Sequence, residues 1–245
     1  MIGVSANERF FKVNIRRILL LSAAVTMLAT PAISGFYLGA QAGGALTRGD
    51  VNYTDQNVQQ NTIGHTRGMG AAFGGHLGYL YQLTDSRMFI LGEGYFIKES
   101  GKSKSHDLVF RSSASASSAT TKGAFTAQSA SNYGASLGFG AFMNPKFNLY
   151  VKVGFESKGV TTTYTLPNAS PADGTEKSAW AISPGAGFMY KMTDSIALSP
   201  EFTYVIGKKC KVLPETTNAN GTYSKSISFT PTEYRLMLKL NYMFR

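Results

Sequence analysis

Large apolar side chains recur at every second position in the closing stretch EYRLMLKLNYMFR, residues 233–245. Tyr234, Leu236, Leu238, Leu240, Tyr242 and Phe244 alternate there with Arg235, Met237, Lys239, Asn241, Met243 and Arg245. A helix advances by about 100° per residue and would scatter this row around its circumference. A strand gathers it on one face, because successive side chains point to opposite sides of a sheet. The same period runs back along the chain. Phe36, Leu38, Ala40 and Ala42 form one row, and Ala71, Phe73, Gly75, Leu77, Tyr79 and Tyr81 the next. MFILGEGYFIK (88–98) is a third strand, whose facing is settled only in that Glu93 should avoid lipid. Tyr133, Ala135, Leu137, Phe139 and Ala141 form a further row, as do Leu149, Val151, Val153 and Phe155. Trp180, Ile182, Pro184, Ala186, Phe188 and Tyr190 follow, then Ile196, Leu198, Pro200, Phe202, Tyr204 and Ile206. With the closing row these predict eight strands.

The connections fall into two kinds that alternate strictly. LTDSR (83–87), MNPKF (143–147) and MTDSI (192–196) are short and made of turn formers. Residues of about 46–68, 99–128, 158–176 and 208–228 are long and polar. That is the layout of an outer-membrane barrel, with tight periplasmic turns and long outer loops. The predicted fold is therefore all-β: an eight-stranded antiparallel up-and-down transmembrane β-barrel. Hydrocarbon offers no partner for a free backbone N–H or C=O, so a sheet within it must close and leave no edge. Eight strands enclose a lumen just wide enough for side chains to fill. The expected lumen set is small residues with Glu93, Lys152, Glu156, Glu201, Arg235 and Lys239, three carboxylates and three cations able to neutralise one another. Tyr79, Tyr81, Tyr190, Tyr242 and Phe244 cluster at the periplasmic strand ends, where an aromatic girdle belongs. A lipocalin-like soluble barrel would need many Lys and Glu on its outer face, and these strands carry mostly Gly, Ala and Ser opposite the apolar rows.

Composition agrees with this picture. Charged residues are 16% of the chain, below the roughly 25% of soluble domains. Past residue 34 no stretch has the roughly 18 apolar residues of a membrane-spanning helix. Before it stand Lys12, Arg16 and Arg17, the apolar run ILLLSAAVTMLA (18–29) and the small residues Ala32 and Ser34, which predict a signal peptide over residues 1–34 cut before Gly35. Loss of Arg9, Lys12, Arg16, Arg17 and Glu8 leaves 20 basic and 13 acidic residues, a net +7. The exported chain, 35–245, carries one thiol, Cys210, and can form no internal disulfide.

GFYLGAQAGG (35–44), the EGYF (93–96) and EFTY (201–204) strands with Glu inside, and the aromatic C-terminal strand resemble the small Gram-negative outer-membrane β-barrel superfamily. That superfamily comprises opacity-type surface proteins, OmpA-like membrane domains and porin-family outer membrane proteins, and the resemblance covers the whole exported chain. It implies outer-membrane localisation with loops at the cell surface. It also implies Tyr242 and Phe244 as the signal read by the barrel insertion machinery; family members end on the aromatic residue, whereas here Phe244 is followed by Arg245. Implied functions are envelope structure, adhesion or contact with a host or surface ligand through the loops, and in some members a narrow pore.

Candidate chemistry is sparse. Of the three histidines, His65 and His106 fall in expected outer loops and His76 in the lumen, with no metal-ligand spacing among them, so neither metal nor cofactor is expected. His76, Ser136 and Glu93 share the lumen parity and form the one candidate acid–base–nucleophile set of a lipid-modifying enzyme, set against a satisfied lumen histidine. The glycines of GAGFMYK (185–191) and GFGAF (138–142) lie inside strands with no helix following, and are not nucleotide loops. RSSASASSATTKGAFTAQSAS (111–131) is a solvated loop or partner-facing surface. Lys98, Lys102, Lys104, Arg111, Lys122, Lys208, Lys209 and Lys211 are placed to meet lipopolysaccharide phosphates. No nucleic-acid role is expected, because these cations sit on exported loops without a binding motif.

Overall fold

The computed structural model describes residues 35–55, 60–84, 86–105, 108–111, 120–165, 172–213 and 225–244. The expected signal peptide, His106 and Arg245 lie outside the described residues, as do the side chains of Lys104, Arg111, Lys122 and Lys211. The described chain is strand and turn throughout: β1 (Gly35–Asp55), β2 (Gln60–Gln82), β3 (Met88–Glu99), β4 (Lys102–Ser105), β5 (Leu108–Arg111), β6 (Thr120–Asn144), β7 (Phe147–Thr165), β8 (Ala172–Lys191), β9 (Ile196–Gly207), β10 (Cys210–Leu213) and β11 (Lys225–Met243). The ladder runs β1-β11-β9-β8-β7-β6-β3-β2, and β2 pairs back onto β1. Every neighbour is antiparallel. Eight staves thus close a barrel without an edge, and the seam joins the first strand to the last, with Tyr37 opposite Met243.

Facing follows the two-residue period at every row. Leu236, Leu238, Leu240, Tyr242 and Phe244 point outward and are exposed, whereas Arg235, Met237, Lys239, Asn241 and Met243 are buried inside. β3 resolves as Phe89, Leu91, Glu93, Ile97 and Glu99 inward, with Met88, Ile90 and Phe96 outward. The short turns are held by their own side chains. Asn144 Oδ1 accepts from the N–H of Lys146 at 2.9 Å and of Phe147 at 2.8 Å, and Thr193 Oγ1 accepts from Ile196 N–H at 3.0 Å.

The segments expected as loops are largely strand. Residues 46–55 and 60–68 continue the β1–β2 ladder up to the Asp55–Gln60 pair. β4, β5 and the start of β6 fall within 99–128; β7 runs on to Thr165 and β8 resumes at Ala172; β10 and the start of β11 fall within 208–228. These extensions stand in water on their outer side, so no apolar row marks them. Paired backbone and β-branched residues such as Thr161, Thr162 and Thr163 sustain them instead. The lipid belt on β11, from Tyr234 to Phe244, spans ten steps, about 33 Å of strand and ~25 Å of height at the ~40° tilt of such barrels. β1 has 21 residues, roughly twice that span, so about half the barrel wall rises beyond the belt.

Among the described residues the lumen is filled from the floor through the charged layers. At the periplasmic end Tyr37, Leu80, Phe89, Leu91, Tyr150, Met189, Ala197 and Met243 pack into an apolar floor. The expected small and charged lumen residues are there, and the structure adds this floor of rings and aliphatic groups, which the sequence did not show and whose desolvation seals the periplasmic end. Beyond the charged layers Val51 and Phe229 are buried in turn, and Val205 is buried opposite Glu233.

Candidate functional site

Above the floor four charged side chains from β3, β7, β9 and β11 form a closed ring. Lys152 Nζ lies 3.0 Å from Glu93 Oε1 and 2.8 Å from Glu201 Oε1; Lys239 Nζ lies 2.6 Å from Glu93 Oε1 and 2.9 Å from Glu201 Oε2. Each ammonium therefore serves both carboxylates, and each carboxylate both ammoniums. The floor completes the set, because Tyr37 OH donates to Glu93 at 3.3 Å and Tyr150 OH to Glu201 at 3.0 Å. All four charged side chains are at most 5% exposed, where an unpaired charge would be strongly disfavoured.

A second tier lies toward the outside. Arg235 donates from Nη1 and Nη2 to the two oxygens of Glu156, at 2.8 and 2.7 Å, and from Nε to Glu99 at 2.9 Å and to Glu233. Lys158 pairs with Glu99 at 3.2 Å and with Glu233. Tyr95 donates to Glu156 at 2.9 Å, Thr47 to Glu233 at 3.0 Å, and Ser129 and Asn132 to Glu99. Between the tiers a cavity of about 10 Å³, lined by Gln41, Tyr95, Ser183 and Thr203 among others, has room for roughly one water.

All six residues expected in the lumen charge network are there, but divided between tiers: Glu93, Lys152, Glu201 and Lys239 below, Glu156 and Arg235 above. Glu99, Lys158 and Glu233 were missed. Glu99 and Lys158 stood at the edges of segments assigned to loops. Glu233 was legible, since it shares parity with Arg235 two positions on. Among the described residues the network thus holds five carboxylates and four cations.

The candidate catalytic set does not assemble. His76 Nε2 is 2.6 Å from Asn241 Oδ1, Glu93 is held by Tyr37 and two lysines, and the Ser136 hydroxyl has no hydrogen-bond partner among the described residues. Exposed His65 pairs instead with Asp50, 2.7 Å from Nδ1 to Oδ1. Cys210 is half-buried on β10 and donates to Phe229 O at 3.3 Å; burial pushes its thiol pKa up, away from a reactive thiolate. Tyr242 and Phe244 face outward with rings 5.1 Å apart and edge-on at 79°. Phe36 and Tyr79, 4.8 Å apart, join the same periplasmic girdle.

A family model described as "Outer membrane protein beta-barrel domain" matches residues 18–241. A search of curated proteins found no match. Among solved structures the chain is similar to the outer membrane protease OmpT from Escherichia coli, at 8% identity and a TM-score of 0.52, covering 89% of this chain and 99% of that one. It is also similar to Neisserial surface protein A (12% identity, TM-score 0.38, 87% and 100% covered) and to OprG from Pseudomonas aeruginosa (12% identity, TM-score 0.45, 85% and 96% covered). At these identities the likeness is one of fold.

Proposed function

The chain belongs to the outer membrane protein beta-barrel domain family and resides in the outer membrane of a Gram-negative bacterium; from that premise we propose that it works as a non-enzymatic surface protein. The belt anchors it. The half of the wall rising beyond the belt carries the contact surface for envelope structure, adhesion or a host or environmental ligand. The observation that carries this reading is the filled lumen: an apolar floor, a four-membered ion ring and a second ionic tier leave a gap of about 10 Å³ between the tiers. Eight strands enclose an interior just wide enough for side chains to fill, whereas porins of about 16 to 18 strands leave an aqueous channel. His76 Nε2 is engaged by Asn241, and among the described residues neither its Nδ1 nor the Ser136 hydroxyl has a hydrogen-bond partner, so the nucleophile–base contact of a hydrolase is not made and substitution of His76 should leave lipid A composition unchanged.

Single-channel recording of the protein extracted from its own membrane tests the reading. A heat-dependent gel shift first establishes that the barrel is closed. Electrical silence is expected. Steady ion-selective openings that change when Lys152 or Glu156 is neutralised would transfer the function to the lumen and make the chain a narrow channel.

A further inference from the structure

Two arginines face each other across the β1–β2 ladder at the outer rim of the belt. Arg48 stands opposite Arg67, both side chains are exposed, and like charges placed directly opposite repel. Asp50, the carboxylate next along that face of β1, is engaged by His65. Arg48 also lies over the Tyr234 ring, 5.6 Å from its centroid, which holds the guanidinium at the aromatic boundary of the belt. An arrangement that keeps two cations together, with no carboxylate between them among the described residues, suits an anion that bridges both.

Directly below, the outer wall is hollowed. Gly44 leaves backbone bare, and Met69, Phe202, Tyr234 and Leu236 stand around a groove of about 560 Å³, the size of a small-ligand site. Met69 and Leu236 are 79% and 65% exposed, which a lipid chain would cover. Internal packing does not demand glycine at position 44, because an added Cβ would meet only Gly70 O, at 3.9 Å. The hollow and the cation pair adjoin along the same two strands, one on each side of the belt's outer boundary.

We propose that this face is a lipopolysaccharide site, with a lipid A phosphate bridging Arg48 and Arg67 and an acyl chain lying over Gly44. Guanidinium groups match phosphate oxygens in bidentate fashion, and two of them neutralise one phosphomonoester dianion. A lipid of the outer leaflet places its phosphate at the belt rim and its chains against the belt, the order found here. The assignment rests on the barrel's orientation, short turns inward, and is independent of whether the lumen conducts.

The test titrates the delipidated full-length protein in detergent with purified lipopolysaccharide, with chemically dephosphorylated lipopolysaccharide and with phosphatidylglycerol. Bound lipid is counted by native mass spectrometry, and affinity is taken from the shift in heat-unfolding midpoint. Lipopolysaccharide should saturate at one high-affinity copy. The dephosphorylated form and the Arg48→Ala/Arg67→Ala variant should each bind about 30-fold more weakly, and phosphatidylglycerol should compete poorly. Gly44→Phe fills the groove and should weaken binding while preserving the preference for the phosphorylated form. Equal binding of the dephosphorylated lipid, which needs no variant, would overturn the proposal. So would undiminished affinity of the double arginine variant, or phosphatidylglycerol binding as tightly as lipopolysaccharide.

Discussion

The Arg235 guanidinium clasps the Glu156 carboxylate in two parallel hydrogen bonds across the lumen, from β11 to β7. Its Nε serves Glu99 on β3 and Glu233 on its own strand. One side chain therefore ties three separate staves together at the outer end of the belt. The ring below does the same for four staves through two lysines. The barrel's cross-section is held by side chains as well as by the ladder.

Removal of Arg235 leaves Glu99, Glu156 and Glu233 with Lys158 as the cation that remains in their tier. Arg235→Met should destabilise the barrel by about 3–5 kcal/mol, the usual result of orphaning a buried charge. Arg235→Lys should recover little, because an ammonium cannot reproduce the fork that meets both Glu156 oxygens. Denaturant unfolding in lipid vesicles, followed by the gel shift, measures both. A lysine variant as stable as the parent would mean that a point charge suffices.

The lower ring separates the worth of an ion lattice from the cost of breaking it. Lys239→Met alone strips Glu93 and Glu201 of one shared cation and should also cost about 3–5 kcal/mol. Replacing the whole ring by Glu93→Leu, Lys152→Met, Glu201→Leu and Lys239→Met, with Tyr37→Phe and Tyr150→Phe to remove the two tyrosine hydroxyls that would lose their carboxylates, should cost less than the single change. If the sixfold variant proves the weaker, the ring contributes net stability of its own.

How much of this was legible before any coordinates? The alternation alone fixed the facing of Arg235 and Lys239, because a buried lumen and surrounding lipid impose opposite polarity on adjacent residues. It fell silent where that contrast ends. Beyond Leu46 and Tyr234 both sides of the wall tolerate polar groups, so residues 46–55 read as loop although they are laddered to Asp55. Glu99 and Lys158 were lost with those extensions. The apolar floor was hidden for a different reason: on β3, Phe89 and Leu91 inside and Ile90 outside make a continuous apolar run, and periodicity cannot orient a run with both faces apolar. Which tier a charge joins was beyond reach, since strand stagger around a barrel sets height, and alternation along one strand carries no such information.

The C-terminal girdle should matter more for assembly than for stability. Tyr242 and Phe244 are outward and half-exposed, so Phe244→Ala forfeits an edge-on ring contact of about 0.5–1.5 kcal/mol and little else. If these rings are also the insertion signal, Phe244→Ala should lower the folded fraction in cells several-fold while the detergent-refolded protein unfolds near the parental midpoint. The gel shift on both preparations decides. Parallel losses in the two would reduce Phe244 to a stability contact.

Gly75 and Gly78 sit on opposite faces of β2, and the fold makes different demands of them. Gly75 faces lipid, and an added Cβ would meet Gly39 O at 3.5 Å, an ordinary contact. Gly78 faces the lumen, where the same atom would sit 2.2 Å from Tyr37 Cζ and 2.4 Å from its hydroxyl. Tyr37 has no room to retreat: it is 2% exposed, packs in the floor and donates to Glu93. Gly75→Ala should therefore be nearly neutral, while Gly78→Ala should cost about 1–3 kcal/mol through overpacking. A double-mutant cycle identifies the cause. In a Tyr37→Ala background the Gly78→Ala cost should largely vanish, because the clashing ring is gone. An undiminished cost there would trace the effect to the backbone of β2 and release Tyr37 from its assigned role.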